Sequence, residues 1–310
     1  MSHLCATYYH EGTKELVSSS GGNAGLAVAT VGKKLGMPVS VIVPDTTKPV
    51  VLAKLRSLGA TVTVHGHNWN EADTYARALV DDDHNHSEQP HQQRCQYVSP
   101  YDNPLLWTGH STLVDELCEQ LFVAQQSQPH ETEKELPKLA TIIVSVGGGG
   151  LLCGVLEGCT RRQIHTTTHI LTCETEGAAC FQQSYTQKHC ITLPGIDSIA
   201  TSLGATSCTP IAVDRATAYP GGVTAGTCTD TEAIEACVQF ARDHRVLVEP
   251  ACGAALAMVY SPRLRQQYLT TTTSTDDDDD RPIVIEVCGG SGVDLDLLHG
   301  WKTEYLTSSS

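Results

Sequence analysis

Ser145-Val146-Gly147-Gly148-Gly149-Gly150-Leu151-Leu152 is the stretch on which the reading of this chain turns. Ahead of it stands Ala140-Thr141-Ile142-Ile143-Val144, a β-branched run with the composition of a buried strand. Behind it, Cys153-Gly154-Val155-Leu156-Glu157-Gly158 can continue as a helix. Glycines filling a strand-to-helix turn remove every Cβ from it. Backbone N–H groups then converge on an anion, and the helix N-terminus adds its partial positive charge. A phosphate suits such a cup, and a tight crossover without a ligand is the other reading of a lone glycine run. No Lys-Ser/Thr follows, which excludes the nucleoside-triphosphate loop, and the spacing is not that of a dinucleotide fingerprint.

Toward the N-terminus a second loop of this kind appears. Glu15-Leu16-Val17 leads into Ser18-Ser19-Ser20-Gly21-Gly22-Asn23-Ala24-Gly25, and a helical pattern runs from Ala24 to Leu35, closed by Gly36 and Pro38. That loop suits a carboxylate, although a capped helix with a serine tail reads the same way. Val39–Val43 and Ala60–Val64 read as strands around a helix from Lys48 to Leu58. Pro104 opens another helix reaching about Phe122, and His169–Glu174 is a strand. Asp230–Arg242 reads as a helix, Arg245–Val248 as a strand passing into a helix from Ala254 to Leu264, and Pro282–Cys288 as a strand ending in Gly289-Gly290-Ser291-Gly292. Strands alternating with helices imply parallel sheets, whose carboxyl ends gather on the edge where ligands bind.

Three polar stretches interrupt this order. Asp81–Arg94 reads as a surface insertion, so His84, His86 and His91 are assigned to solvent rather than to a metal, as are His65 and His67. Gln125–Lys138 is a connector, and 270–281, threonines followed by aspartates, reads as a disordered acidic loop because packed like charges repel.

The bulk properties narrow the class. A net charge of −15 and a pI of about 5.3 argue against nucleic acid or an anionic membrane as partner. No apolar run is long enough to span a bilayer, and the first ten residues lack a signal-peptide pattern. The 13 cysteines include no Cys-x-x-Cys pair and lie mostly in apolar runs, as reduced thiols of a cytoplasmic protein would.

Four stretches taken together are far more specific than any one of them. Ser-Ser-Gly-Gly-Asn-Ala-Gly, Ser-Val-Gly-Gly-Gly-Gly-Leu-Leu-Cys-Gly, Val-Glu-Pro-Ala-Cys-Gly-Ala-Ala-Leu-Ala and Val-Cys-Gly-Gly-Ser resemble, in this order, the serine dehydratases. These belong to the fold-type II (tryptophan synthase β-like) enzymes that use pyridoxal 5'-phosphate (PLP). The resemblance covers nearly all of the chain from Met1 to about Tyr305. It implies an α/β fold of two doubly wound domains, a small domain over 1–102 and a PLP-binding domain over 103–310, and a homodimer. It also implies a PLP-dependent L-serine and L-threonine ammonia-lyase acting on a small amino acid. A serine racemase, a cysteine synthase-like enzyme and a non-catalytic PLP- or amino-acid-binding paralogue are the rivals.

By the same resemblance, Gly147, Gly148, Gly149, Gly150 and Leu151 cradle the cofactor phosphate, and Ser20, Gly21 and Asn23 take the substrate carboxylate. Asn23 also reaches the pyridine 3'-oxygen, and Cys288 faces the pyridine nitrogen as a neutral partner. Glu174, Ala178, Cys180, Leu203 and Ala205, with the backbone near Gly147, resemble the family's monovalent-cation (K⁺) site. Cys180 stands where relatives offer a hydroxyl.

The family's Schiff-base lysine sits in a Ser-Phe-Lys-x-Arg-Gly motif just upstream of the helix that Met1-Ser2-His3-Leu4-Cys5 resembles. Matched this way, the lysine falls before Met1, Lys14 does not replace it, and the first segment of the large domain is missing. The expectation is therefore a truncated chain that binds PLP weakly without turnover and exposes some apolar sheet surface. General acid–base catalysis alone contributes roughly 10²–10⁴ in rate.

Overall fold

The computed structural model describes residues 1–86, 94–126, 139–269 and 281–306. The expected acidic loop, apart from Arg281, and His91 lie outside them, as does most of the connector. Contact density divides the chain into two compact units, Met1–Gly109 and His110–Ser310.

The first unit holds α1 (Ser2–His10), β1 (Glu15–Ser18), α2 (Asn23–Leu35), β2 (Val39–Val43), α3 (Pro49–Ser57), β3 (Thr61–Val64), α4 (Trp69–His86) and β4 (Cys95–Tyr97). Its strands form a parallel sheet in the order β3-β2-β1-β4. Leu16, Val41 and Val43 are buried with Leu26, Val28 and Ala29 of α2 and with Leu4 and Cys5 of α1, which fixes the start of α2 over the sheet. Gly36 ends α2 with a φ of 69°, a left-handed conformation that glycine adopts without strain.

The helix α5 (Pro104–Gln126) crosses the division between the units. The second unit then comprises β5 (Thr141–Ser145), α6 (Gly150–Arg161), β6 (His169–Thr175), α7 (Cys180–Gln187), α8 (Pro210–Ala218), β7 (Val223–Cys228), α9 (Asp230–His244), α10 (Pro250–Tyr260), α11 (Pro262–Tyr268), β8 (Ile283–Ile285) and α12 (Leu295–Leu306). Its sheet is parallel in the order β7-β6-β5-β8. α10 is buried from Pro250 to Met258, packed in the core with Ile143 and Leu171 of the sheet. That central position leaves α10 no polar face to present.

Four expectations are corrected here. Arg245–Val248 is not a strand: Arg245 closes α9 in a left-handed conformation (φ 62°), so the chain turns away before a ladder forms. The following helix starts at Pro250 rather than Ala254, because proline is preset for a first turn. It breaks at Ser261, since Pro262 has no N–H to continue the ladder and the Ser261 hydroxyl caps α11 instead. The last strand is also shorter than its apolar run, pairing with β5 only through Ile283, Val284 and Ile285.

Candidate active site

The glycine turn sits at the carboxyl end of β5 and opens α6. Gly149 is the residue before the helix, at φ 89°, and no side chain caps the N–H groups of the first turn. A Cβ on Gly149 would come within 2.7 Å of the Ala212 Cβ, and one on Gly147 within 3.2 Å of the Leu203 Cα. The turn is thus shaped by close packing as well as by its conformation. Behind it, the Thr209 N–H donates to the Gly148 carbonyl (3.0 Å), and the Ser145 hydroxyl donates to the Ala251 carbonyl (2.6 Å). Thr209 Oγ1 is buried without a hydrogen-bond partner among the described residues.

Next to β5 in the sheet, β8 delivers Cys288. The Glu286 N–H donates to the Ile143 carbonyl (2.9 Å), so the segment leaves the sheet beside the turn. The Cys288 thiol lies 3.0 Å and 3.1 Å from the two Glu286 carboxylate oxygens. Cys288 keeps an exposed face, yet the protein packed around it, and next the Glu286 carboxylate, push its thiol well above the ordinary range. It is held as a neutral thiol. The following Gly289–Gly292 turn is moulded on Glu249, a residue the sequence reading did not single out. Glu249 Oε1 accepts from the Gly292 N–H (2.6 Å) and Oε2 from the Ser202 hydroxyl. A Cβ on Gly290 would strike the Glu249 carboxyl carbon at 2.2 Å.

On the other side of β5, Glu174 of β6 is fully buried. Its two oxygens accept the backbone N–H groups of Phe181 (2.9 Å) and Gln182 (2.6 Å) in the first turn of α7. Burial still outweighs these donors and pushes its carboxyl up to about 8. The Cys180 thiol donates to the Gly147 carbonyl (3.5 Å), and the Ala205 N–H donates to the Leu203 carbonyl (2.7 Å). Cys180 and Leu203 therefore both meet Gly147, while Ala178 lies in the turn between β6 and α7. No group of three or more His, Cys, Asp or Glu side chains among the described residues is arranged to hold a metal ion.

In the first unit the serine loop follows the carboxyl end of β1. The Ser20 hydroxyl accepts from the Gly22 N–H (3.2 Å), and Asn23 is the first residue of α2, whose N-terminus has no side-chain cap. A Cβ on Gly21 would contact Val43 and Thr47 at 3.2 Å. Ser19, fully buried, anchors this loop to Asp73 of α4 (2.7 Å) and lies 2.9 Å from the Tyr97 hydroxyl. Sequence pattern offered no signal for Asp73.

A family model described as "Pyridoxal-phosphate dependent enzyme" matches residues 1–274. The chain belongs to that family. It is similar to "L-serine dehydratase" of Saccharomyces cerevisiae (strain AWRI1631), 37% identical over 91% of this chain and 78% of the relative. It is also similar to "L-serine dehydratase/L-threonine deaminase" of Bos taurus, 36% identical over 98% of this chain and 84% of the relative. Among solved structures, a fungal L-serine ammonia-lyase from Rhizomucor miehei superposes with a TM-score of 0.80 at 28% identity, covering 98% of this chain and 86% of that one. The residues present fit the family's cofactor: the α6 N-terminus lacks a side-chain cap, and the Gly147–Gly150 turn carries no side chains to stand between its N–H groups and a phosphate. No helix among the described residues is long and apolar enough to cross a membrane.

Proposed function

We propose that this chain carries the binding site of a PLP-dependent L-serine and L-threonine ammonia-lyase, a reaction that releases pyruvate or 2-oxobutyrate with ammonia. None of its residues is assigned as the base that removes the α-proton. The observation that carries the reading is the 36% identity to the bovine serine dehydratase and threonine deaminase over 98% of the chain, with a glycine cradle and a strand-end cysteine at one edge of a parallel sheet. When bound, the cofactor supplies an electron sink that acidifies the amino acid's α-proton and lets a β-hydroxyl leave.

The chain's own residues have these roles in the proposal. The backbone N–H groups of Gly147, Gly148, Gly149, Gly150 and Leu151 hold the phosphate, with the α6 N-terminus favouring its charge. Ser20, Gly21 and Asn23 hold the substrate carboxylate in the same way at the start of α2, and the Asn23 side chain orients the ring oxygen. Cys288 stands beside the ring nitrogen as a neutral thiol. A neutral partner leaves the ring a milder sink than a carboxylate partner would, which is enough for eliminating a hydroxyl. Glu174, Ala178, Cys180, Leu203 and Ala205 are proposed to surround a monovalent cation, K⁺ first. A homodimer and a cytoplasmic location complete the reading.

Product analysis tests it, using the PLP-loaded protein. Pyruvate from L-serine and 2-oxobutyrate from L-threonine are expected. Accumulation of D-serine instead assigns a racemase, and cysteine from O-acetylserine and sulfide assigns a synthase. Retained PLP binding without any product assigns a non-catalytic relative.

A further inference from the structure

Three cysteines converge beside the glycine cradle. The Cys190 thiol donates to the Cys208 carbonyl (2.9 Å) and lies 3.2 Å from the Ser207 hydroxyl. Cys180 reaches the other end of the glycine turn, its thiol donating to the Gly147 carbonyl (3.5 Å). The two segments carrying Cys190 and Cys208 are stapled in place. The Leu193 N–H donates to the Thr206 carbonyl (2.8 Å), and the Ile191 N–H donates to the Ser184 hydroxyl (3.0 Å). On its far side, Cys208 touches the cradle: its Cβ lies 3.9 Å from where a Cβ on Gly149 would be, and the next residue bonds to Gly148.

A cysteine sulfur 2.9 Å from its partner's backbone carbonyl holds the two residues close enough for side-chain rotation to bring sulfur to sulfur. Cys208 has two candidate partners, and their settings differ. Cys180 is fully buried as the first residue of α7, with its thiol directed to the Gly147 carbonyl. Cys190 is half-buried in the irregular segment after α7, where solvent reaches it and no helix restrains its rotation.

We propose that Cys190 and Cys208 are a redox-active thiol pair which a hydroperoxide converts to a disulfide, a modification site seated against the cofactor cradle. One thiol, as its thiolate, attacks the peroxide O–O bond and releases hydroxide, leaving a sulfenic acid. The second thiol attacks that sulfur. The S–S bond forms as the S–O bond breaks, and the departing hydroxyl takes the thiol proton as water. In total two thiols and one hydrogen peroxide give one disulfide and two waters. Drawing Cys208 toward Cys190 pulls on Thr209 and through it on Gly148, so oxidation weakens the grip of the cradle on its anion.

The test uses the unmodified protein, treated with hydrogen peroxide, alkylated and digested. Cys190 and Cys208 lie on one tryptic peptide, 189–215, with Asp197 between them, and Cys180 lies on another, 163–188. The expected product is peptide 189–215 lighter by two hydrogens. After further cleavage at Asp197, its two pieces remain joined until dithiothreitol separates them. A link between peptides 163–188 and 189–215, or sulfinic acid at Cys190 without any link, overturns the pairing. Titration with PLP reads the coupling: a severalfold loss of affinity after peroxide, restored by dithiothreitol, is expected. Unchanged affinity with the link formed refutes the coupling, whereas the link itself stands independently of what the cradle binds.

Discussion

Ser19 donates its hydroxyl hydrogen to Asp73 at 2.7 Å, and this bond ties the serine loop of β1 to α4, fifty-four residues away in sequence. The same carboxylate collects the Tyr97 hydroxyl on Oδ1 and the Arg77 Nε–H on Oδ2 (2.7 Å), and the Arg77 guanidinium lies 4.1 Å over the Tyr97 ring. Asp73 is therefore the acceptor at which strand end, helix and edge strand meet. The loop that carries Ser20 and Asn23 takes its position from it.

Asp73→Ala should accordingly act at a distance. Ser19 and Tyr97 lose their common acceptor inside the protein, and a buried polar group left unsatisfied costs about 1–3 kcal/mol. Urea denaturation should show a destabilisation in that range. Because the loop holds the proposed carboxylate site, the KM for L-serine should rise more than kcat falls. A variant as stable as the native protein with an unchanged KM would remove Asp73 from this role.

Gly25 offers a sharper perturbation of the same loop. It is buried in the first turn of α2, and a Cβ there would lie 1.7 Å from the Ser20 carbonyl oxygen, which is backbone and has nowhere to go. Gly25→Ala should cost roughly 1–3 kcal/mol or more, the range for overpacked cores. Gly36→Ala, with nothing within 4 Å of its Cβ, should cost only the conformational strain of its φ of 69°, about 1–2 kcal/mol. Thermal unfolding of the two variants side by side checks the contrast, along with the loss of substrate affinity that only Gly25→Ala should show.

Much of this was legible in residue order, and the reasons are local. β5 is written as Thr-Ile-Ile-Val-Ser and is buried from Thr141 to Val144, so its β-branched residues match what the sheet interior needs. The glycines after it permit the left-handed φ of 89° that Gly149 adopts before α6. Arg245–Val248 misled for the opposite reason, an apolar run whose pairing was pre-empted by the left-handed residue ending α9. β7, Val-Thr-Ala-Gly-Thr-Cys, has small residues and a glycine where strands usually carry bulk, and its pairing with β6 supplies what its own composition lacks. Asp73 and the Cys180, Cys190 and Cys208 cluster were illegible altogether, because their meaning lies in which distant segments the fold brings together.

His110 links stability to pH. Burial pushes its imidazole down to about 4 from an ordinary 6.5. Between those values the unfolded chain binds the proton that the folded chain refuses. The stability that rests on neutral His110 is thus whole above pH 6.5 and drains away as pH falls toward 4. Urea midpoints for the native protein should drop from pH 7 to pH 5, and His110→Gln should reduce that drop. Equal drops in the two proteins would assign the acid sensitivity to other groups.

Gly149 tests the cradle itself, with two separable penalties. Its φ of 89° disfavours any residue with a Cβ, by about 1–2 kcal/mol, and the new methyl would sit 2.7 Å from the Ala212 Cβ. Relieving that contact moves the turn and misaligns the N–H groups that open α6. Gly149→Ala should therefore weaken PLP binding at least about tenfold, the equivalent of 1.4 kcal/mol, as measured by equilibrium dialysis. Gly300→Ala, which meets nothing within 4 Å in α12, should leave it unchanged. Adding Ala212→Gly to Gly149→Ala removes the collision but not the strained φ, so the double variant should recover only part of the lost affinity. Full recovery would mean that packing alone shapes the turn, and no recovery that backbone conformation alone does.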